Sequence, residues 1–221
     1  MKKFFLMGVL AALTAFSAAA QEKENNPAPR NANIEQIQLA LRLADYGYAN
    51  YAPVALIQAA EILNGIPVSE LEATRTEEGA GTVSTKPEKP VFSVERLLAD
   101  AKVFAEGDAE VLALADRIQV AGPTRGSVSG PWHKTDAVKA NTTDIYTIRF
   151  YGGSLAEVLV SGDGDTDLDL YIYDENGNLI TKDDDYSDDC LCRWYPRWTG
   201  AFKVKIVNRG SVYNRYQIYV N

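Results

Sequence analysis

The chain has 221 residues, with 30 acidic against 22 basic side chains and a formal charge of −8. An acidic balance of that kind argues against nucleic acid as a partner, because phosphates repel such a surface. The length allows one large or two small domains, and two cysteines with one histidine are too few for a soft-metal site.

The first residues, MKKFFLMGVLAALTAFSAAA, place two lysines before an apolar run, and Ala18-Ala19-Ala20 before Gln21. This is the pattern of a secretory signal peptide over residues 1–20, and the apolar run is shorter than the roughly 18 to 20 residues that span a bilayer. Cleavage would remove Lys2 and Lys3 but no acid, taking the charge from −8 to −10. The expectation is a periplasmic or extracellular protein without a membrane span. Residues 21–32, polar with two prolines, are expected to form a flexible tail.

From Asn33 the apolar spacing becomes helical, with Ile34, Ile37, Leu41 and Ala44 on one stripe. Asn33 is expected as the N-cap and Gly47 as the stop. A second helix, Ala52 to Leu63, carries Pro53 in its first turn. Residues 65–90, with EEGAGTVSTKPEKP at their centre, read as a mobile loop within a helical domain covering 33–120. Ser93 then caps a helix over Val94 to Glu106, and Gly107-Asp108 separates it from a fourth helix, Ala109 to Ile118. Asn33/Ser93, Ile37/Leu97 and Gly47/Gly107 match at an offset of 60, which suggests two stacked helical hairpins.

AGPTRGSVSGP marks entry to a second domain, 121–221, in which short alternating runs recur between Gly, Asn and Asp. They span 144–151, 156–161, 167–174, 178–181, 190–195, 201–208 and 213–220, the spacing of an antiparallel sandwich. Leu168, Leu170 and Ile172 should face one way and Asp167, Asp169, Tyr171 and Tyr173 the other. Asn176-Gly177 is expected as a two-residue hairpin turn with both residues at positive φ. The fold class is therefore α + β multidomain: a small all-α helical-hairpin domain followed by a jelly-roll-like β-sandwich.

The C-terminal hundred residues resemble the bacterial pre-peptidase C-terminal domain. The resemblance rests on Asp144-x-Tyr146, Gly152-Gly153, Asp167-Leu168-Asp169-Leu170-Tyr171, Tyr173-Asp174-x-Asn176-Gly177, Asp183 to Asp185, and Gly200-x-Phe202-x-Val204-x-Ile206. It implies a β-sandwich of the kind appended to secreted proteases and other exported proteins. It does not extend to the helical half, and no peptidase precedes the module.

Charge singles out one segment. Asp163 to Asp189 holds eleven acids and one lysine, whereas Cys190 to Asn221 holds six basic residues and no acid. Calcium requires six to eight oxygen ligands, often from Asp side chains and loop carbonyls, so Asp165, Asp167, Asp169, Asp183 and Asp185 are candidate ligands for Ca2+. The spacing is not that of an EF-hand, because Leu168 stands where the loop glycine would be. Two other readings remain: a solvated acidic rim, and cross-strand pairs with Lys203, Lys205, Arg193 or Arg197.

Cys190-x-Cys192 could form only a strained bridge and is expected as two buried thiols. Trp194, Tyr195 and Trp198, with Tyr171 and Tyr173, could form a sugar-stacking platform, although alternating strand aromatics more often fill a core. Catalysis has thin support, since His133 sits in an expected domain-entry loop without a nucleophile motif. The sequence thus points to an exported non-catalytic protein acting in binding or stabilisation. Its partner would be a protein or a glycan; the second reading is a carbohydrate-binding module.

Overall fold

The computed structural model describes residues 32–81, 86, 91–120 and 130–221. The expected signal peptide, nearly all of the tail, and most of the Gly- and Pro-rich domain entry lie outside the described residues.

Among the described residues there are four helices: α1 (Ala32–Ala49), α2 (Pro53–Asn64), α3 (Val94–Phe104) and α4 (Ala109–Asp116). Ser93 caps α3 by accepting the Arg96 N–H, and Asp108 caps α4 by accepting the N–H groups of Glu110 and Val111. Small residues dominate the helical core, where Ala40, Ala44, Ala59, Ala60 and Ala101 pack with Leu56 and Leu97 and let the helices approach closely. Gly47 does not stop α1. It lies inside the helix, where a Cβ would fall 2.4 Å from Leu56 Cδ2, so it is a contact glycine between α1 and α2. Its counterpart in the offset of 60, Gly107, instead takes φ +91° in the turn before α4, so the matching glycines do different jobs.

The segment expected as a mobile loop after α2 is partly strand. β1 (Ser69–Glu70) and β2 (Thr74–Glu78) form there, and after the helices come β3 (Trp132–Val138), β4 (Thr143–Phe150), β5 (Ala156–Ser161), β6 (Leu168–Tyr173), β7 (Leu179–Asp183), β8 (Asp189–Trp194), β9 (Gly200–Asn208) and β10 (Asn214–Val220). They make two five-stranded sheets, ordered β1-β3-β10-β5-β8 and β2-β4-β9-β6-β7. Every pairing is antiparallel except β1 with β3. This is the helical half followed by an antiparallel sandwich that the sequence predicts, with β1 and β2 as additions from between the helical hairpins.

The sandwich core follows the two-residue period. Leu168, Leu170 and Ile172 of β6 and Phe202, Val204 and Ile206 of β9 face inward, against Val158, Val160, Ile218 and Val220 of the other sheet. Every residue of β5 is buried, because its other face is covered too: Leu159 and Tyr219 of β10 pack against Ile34, Ile37 and Leu41 of α1. The Gln217 amide also donates to the Phe92 carbonyl, at 3.0 Å, tying β10 to the entry of α3. The β6–β7 turn is longer than two residues. The Gly177 N–H donates to the Asp174 carbonyl at 3.1 Å, only Gly177 has positive φ, and the register shifts at Ile172/Tyr173. That is the pattern of a three-residue loop closed by a glycine bulge, held by Asp174 accepting the N–H groups of Asn176 and Asn178.

Among the described residues no helix is long and apolar enough to cross a membrane.

Candidate functional site

One end of the sandwich gathers the β5–β6 connection, the β7–β8 connection and the start of β10. The connection after β5 makes a close approach: at Gly162 a Cβ would fall 2.2 Å from Asp188 Oδ2 and 2.6 Å from Asn214 Oδ1, and Gly164 takes φ +78°. Those two acceptors hold the loop, since Asp188 Oδ2 accepts the Gly164 N–H at 2.5 Å and Asn214 Oδ1 accepts the Asp163 N–H at 3.2 Å. Asn214 in turn donates to the Thr166 carbonyl at 2.9 Å. The loop is thus fixed by backbone and side-chain hydrogen bonds within the protein.

Four of the five acids expected as calcium ligands are divided among different partners. Asp165 accepts from the Lys86 ammonium at 2.5 Å, together with Asp163 at 2.6 Å. Asp169 pairs with the Arg209 guanidinium, Asp183 accepts the Leu191 N–H at 2.8 Å, and Asp185 accepts the Ser187 hydroxyl at 2.8 Å. Asp167 Oδ1 is buried without a hydrogen-bond partner; burial, and then the neighbouring Asp169 charge, push its carboxyl above the usual range. Among the described residues, no group of three or more His, Cys, Asp or Glu could hold a metal ion. Two of the four cross-strand cations named from the sequence find other acids: Arg193 pairs with Glu157 and Lys205 with Glu78.

Lys86 and Arg209 are the cations that sequence reasoning missed. Lys86 lies 77 residues from Asp163, so no local pattern points to it. Its ammonium is gripped by two carboxylates and sits 4.3 Å from the centre of the Tyr213 ring, with 8% of the side chain exposed. Burial alone would lower its pKa, but the hydrogen bonds it donates to Asp163 and Asp165 outweigh that and raise it.

Beside this ammonium cage, a cleft of about 450 Å3 opens between the helices and the sandwich. Asp45 and Tyr48 of α1 and Phe92 form one wall; Ser161 to Gly164, Asp188, Asp189, Arg215 and Gln217 form the other. Four carboxylates therefore face one guanidinium. Tyr48 stacks on Phe92 with ring centres 5.5 Å apart, and its hydroxyl donates to Asp100 at 2.8 Å, which fixes the apolar floor. Burial raises the Asp189 carboxyl above the usual range, with Ser161 bonding to it in opposition. An apolar floor with a carboxylate rim suits a ligand having a cationic end and an apolar body.

The remaining candidates resolve differently. Trp194 is not part of a platform: it is buried, edge-on to Phe150, and its Nε1 has no partner. Trp198 stacks on Phe202 at 5.6 Å and donates to Glu175 at 3.1 Å. His133 lies in β3 rather than in a loop, stacked on Tyr219 at 4.4 Å, and burial lowers its pKa from 6.5 to about 4. Cys190 and Cys192 are buried free thiols on one face of β8, and Cys190 Sγ donates to the Leu168 carbonyl at 3.0 Å. Burial pushes the Cys192 thiol up to about 12 and the Cys190 thiol higher still, so neither is a nucleophile near neutral pH.

No family model matches the chain, and no curated protein matches it. Among solved structures, the chain is similar to the pre-peptidase C-terminal domain of collagenase from Bacillus anthracis, at 11% identity and a TM-score of 0.37, covering 41% of this chain and 89% of that one. It is also similar to PliG of Aeromonas hydrophila, a periplasmic inhibitor of g-type lysozyme, at 11% identity and a TM-score of 0.35, covering 44% of this chain and 90% of that one. A carbohydrate-binding module of Cellvibrio mixtus lichenase 5A aligns at 14% identity and a TM-score of 0.26, covering 42% of this chain and 87% of that one.

Proposed function

We propose that this is an exported, non-catalytic binding protein that takes a basic segment of a partner protein into the cleft between α1 and the sandwich. Export rests on the n-region, apolar run and Ala18-Ala19-Ala20 of the leader. The observation that carries the binding reading is Lys86. The rim of the cleft already accommodates an ammonium, between Asp163, Asp165 and the Tyr213 ring, and the adjoining cleft adds Asp45, Asp188 and Asp189. A partner's lysine or arginine would meet the same chemistry. His133, the chain's one histidine, is half-buried and stacked on Tyr219, and the two thiols are held protonated, which supports a non-catalytic role.

The test is titration of the folded protein with a lysine-containing heptapeptide and with its glutamate counterpart. Binding of the basic peptide alone is expected, weakened by salt, and weakened about threefold by Asp45→Asn, since Asp45 is exposed and solvent screens its charge. Equal binding of both peptides, or of neither, sinks the reading. Calcium at Asp165, Asp167, Asp169, Asp183 and Asp185 would have to displace Lys86 and Arg209 from their carboxylates. Melting in calcium and in chelator is therefore expected to coincide; a calcium-dependent rise of several degrees would return those five acids to the role of ligands.

A further inference from the structure

The opposite end of the sandwich carries a second hollow, of about 270 Å3, with a different chemistry. Trp132 and Tyr151 line it and expose 41% and 65% of their surface. Among the described residues, the only charged side chain in the lining is Arg149 of β4, which is exposed and makes no side-chain hydrogen bond or ion pair with them. On a chain of net charge −8, a hollow with one guanidinium and no acidic side chain stands out.

The aromatics are held on fixed backbone. Trp132 begins β3, paired with Ser69 on one side and Val220 on the other. Tyr151 precedes Gly152-Gly153, whose N–H groups donate to Thr199 Oγ1 at 2.9 Å and to the Pro196 carbonyl at 2.8 Å. Gly152 is required there, because a Cβ would lie 2.8 Å from the Trp198 backbone. Neither ring stacks on another aromatic among the described residues, in contrast to Trp194 and Trp198, which are committed to Phe150 and Phe202. Exposed aromatic faces pinned beside polar side chains are what a pyranose ring uses, its C–H face on the ring and its hydroxyls on amides and hydroxyls. Ser154 supplies a hydroxyl at the hollow, beside the Asn221 amide, which Glu157 holds in place through its own N–H and its carboxylate.

We infer that this hollow binds an acidic pyranose, a uronic or sialic acid unit, with the sugar ring on Trp132 and Tyr151 and its carboxylate on Arg149. The guanidinium selects the carboxylate because its fork matches two carboxylate oxygens. A free carboxylate without a ring would gain the pairing but not the aromatic contact.

Saturation-transfer NMR on the full protein tests this with galacturonate, glucuronate and N-acetylneuraminate, against galactose, glucose and acetate. At least one acidic sugar is expected to bind in roughly the millimolar range, with neutral sugars about tenfold weaker and acetate giving no transfer. Arg149→Gln should bring the acidic sugar down to the neutral level, and Trp132→Ala should abolish transfer to both. Both side chains are exposed, so the variants should melt with the wild type; a melting control on each separates lost binding from lost folding. No transfer to any sugar, or transfer unchanged in Trp132→Ala, overturns the site. Equal binding of acidic and neutral sugars overturns the role of Arg149.

Discussion

Arg75 reaches from β2 into the sandwich and bonds to Asp136 at 2.5 Å and to Asp144 at 2.8 Å. Asp144 has no exposed surface and also accepts the Tyr216 hydroxyl at 2.7 Å, while Tyr216 meets Tyr146 at 2.8 Å. This polar cluster joins strands of both sheets. Burial pushes the Asp144 carboxyl above its usual range, with Arg75 and then Tyr216 opposing that shift, so the carboxylate depends on Arg75 for its charge partner. Arg75→Met is expected to lower the unfolding free energy by about 3 kcal/mol in urea titrations, because it strands a buried carboxylate. Loss within a few tenths of a kcal/mol would mean that Tyr216 alone suffices. His133 acts through pH. Its folded pKa, about 4, lies below the unfolded 6.5, so between those values the unfolded chain binds the extra proton. Stability from the neutral imidazole is complete above pH 6.5 and falls as pH drops toward 4, by on the order of 2–3 kcal/mol. Urea unfolding of wild type and His133→Phe across that window should converge or cross as pH falls; parallel curves would count against this.

Among the elements, Gly47 sets the distance between α1 and α2. Gly47→Ala drives a methyl into Leu56 and should cost about 1–3 kcal/mol, whereas Leu56→Ala alone opens a cavity at a cost of about 2–5 kcal/mol. Combined, the two are expected to cost clearly less than their sum, measured by thermal melting in a double-mutant cycle. Additive losses would place the clash elsewhere. Elements with strong periodicity were legible in the sequence: the stripe Ile34, Ile37, Leu41, Ala44 and the alternation of Leu168, Leu170, Ile172 are both buried as expected. The three strands that escaped notice lack such a pattern. β2 reads TRTEE and lies at the outside of its sheet with no apolar residue, and β3 reads WHKTDAV, with only Val138 fully buried. Their places come from pairing with β4 and β10, which no local window contains. The same holds for the acidic segment. Its charge was visible, but its partners Lys86 and Arg209 lie 77 and 40 residues from the acids they meet.

For the molecule as a whole, the helical half and the sandwich share a third core of Ile34, Ile37, Leu41, Ile66, Leu159 and Tyr219. Cutting at the compositional boundary, to leave 121–221, removes β1, β2, Arg75 and the cover of Leu159 and Tyr219. That fragment is expected to lack the native near-ultraviolet circular dichroism of the full protein, while the intact chain should unfold in one transition seen identically by far- and near-ultraviolet signals. Separate transitions would show that the shared core does not couple the halves. The placement of β1 and β2 has a further consequence, for inheritance. Two strands of the sandwich are encoded between α2 and α3, so genetic exchange cannot move this sandwich as a cassette from its apparent start. A recombined gene must carry the stretch from β1 onward, and with it α3 and α4.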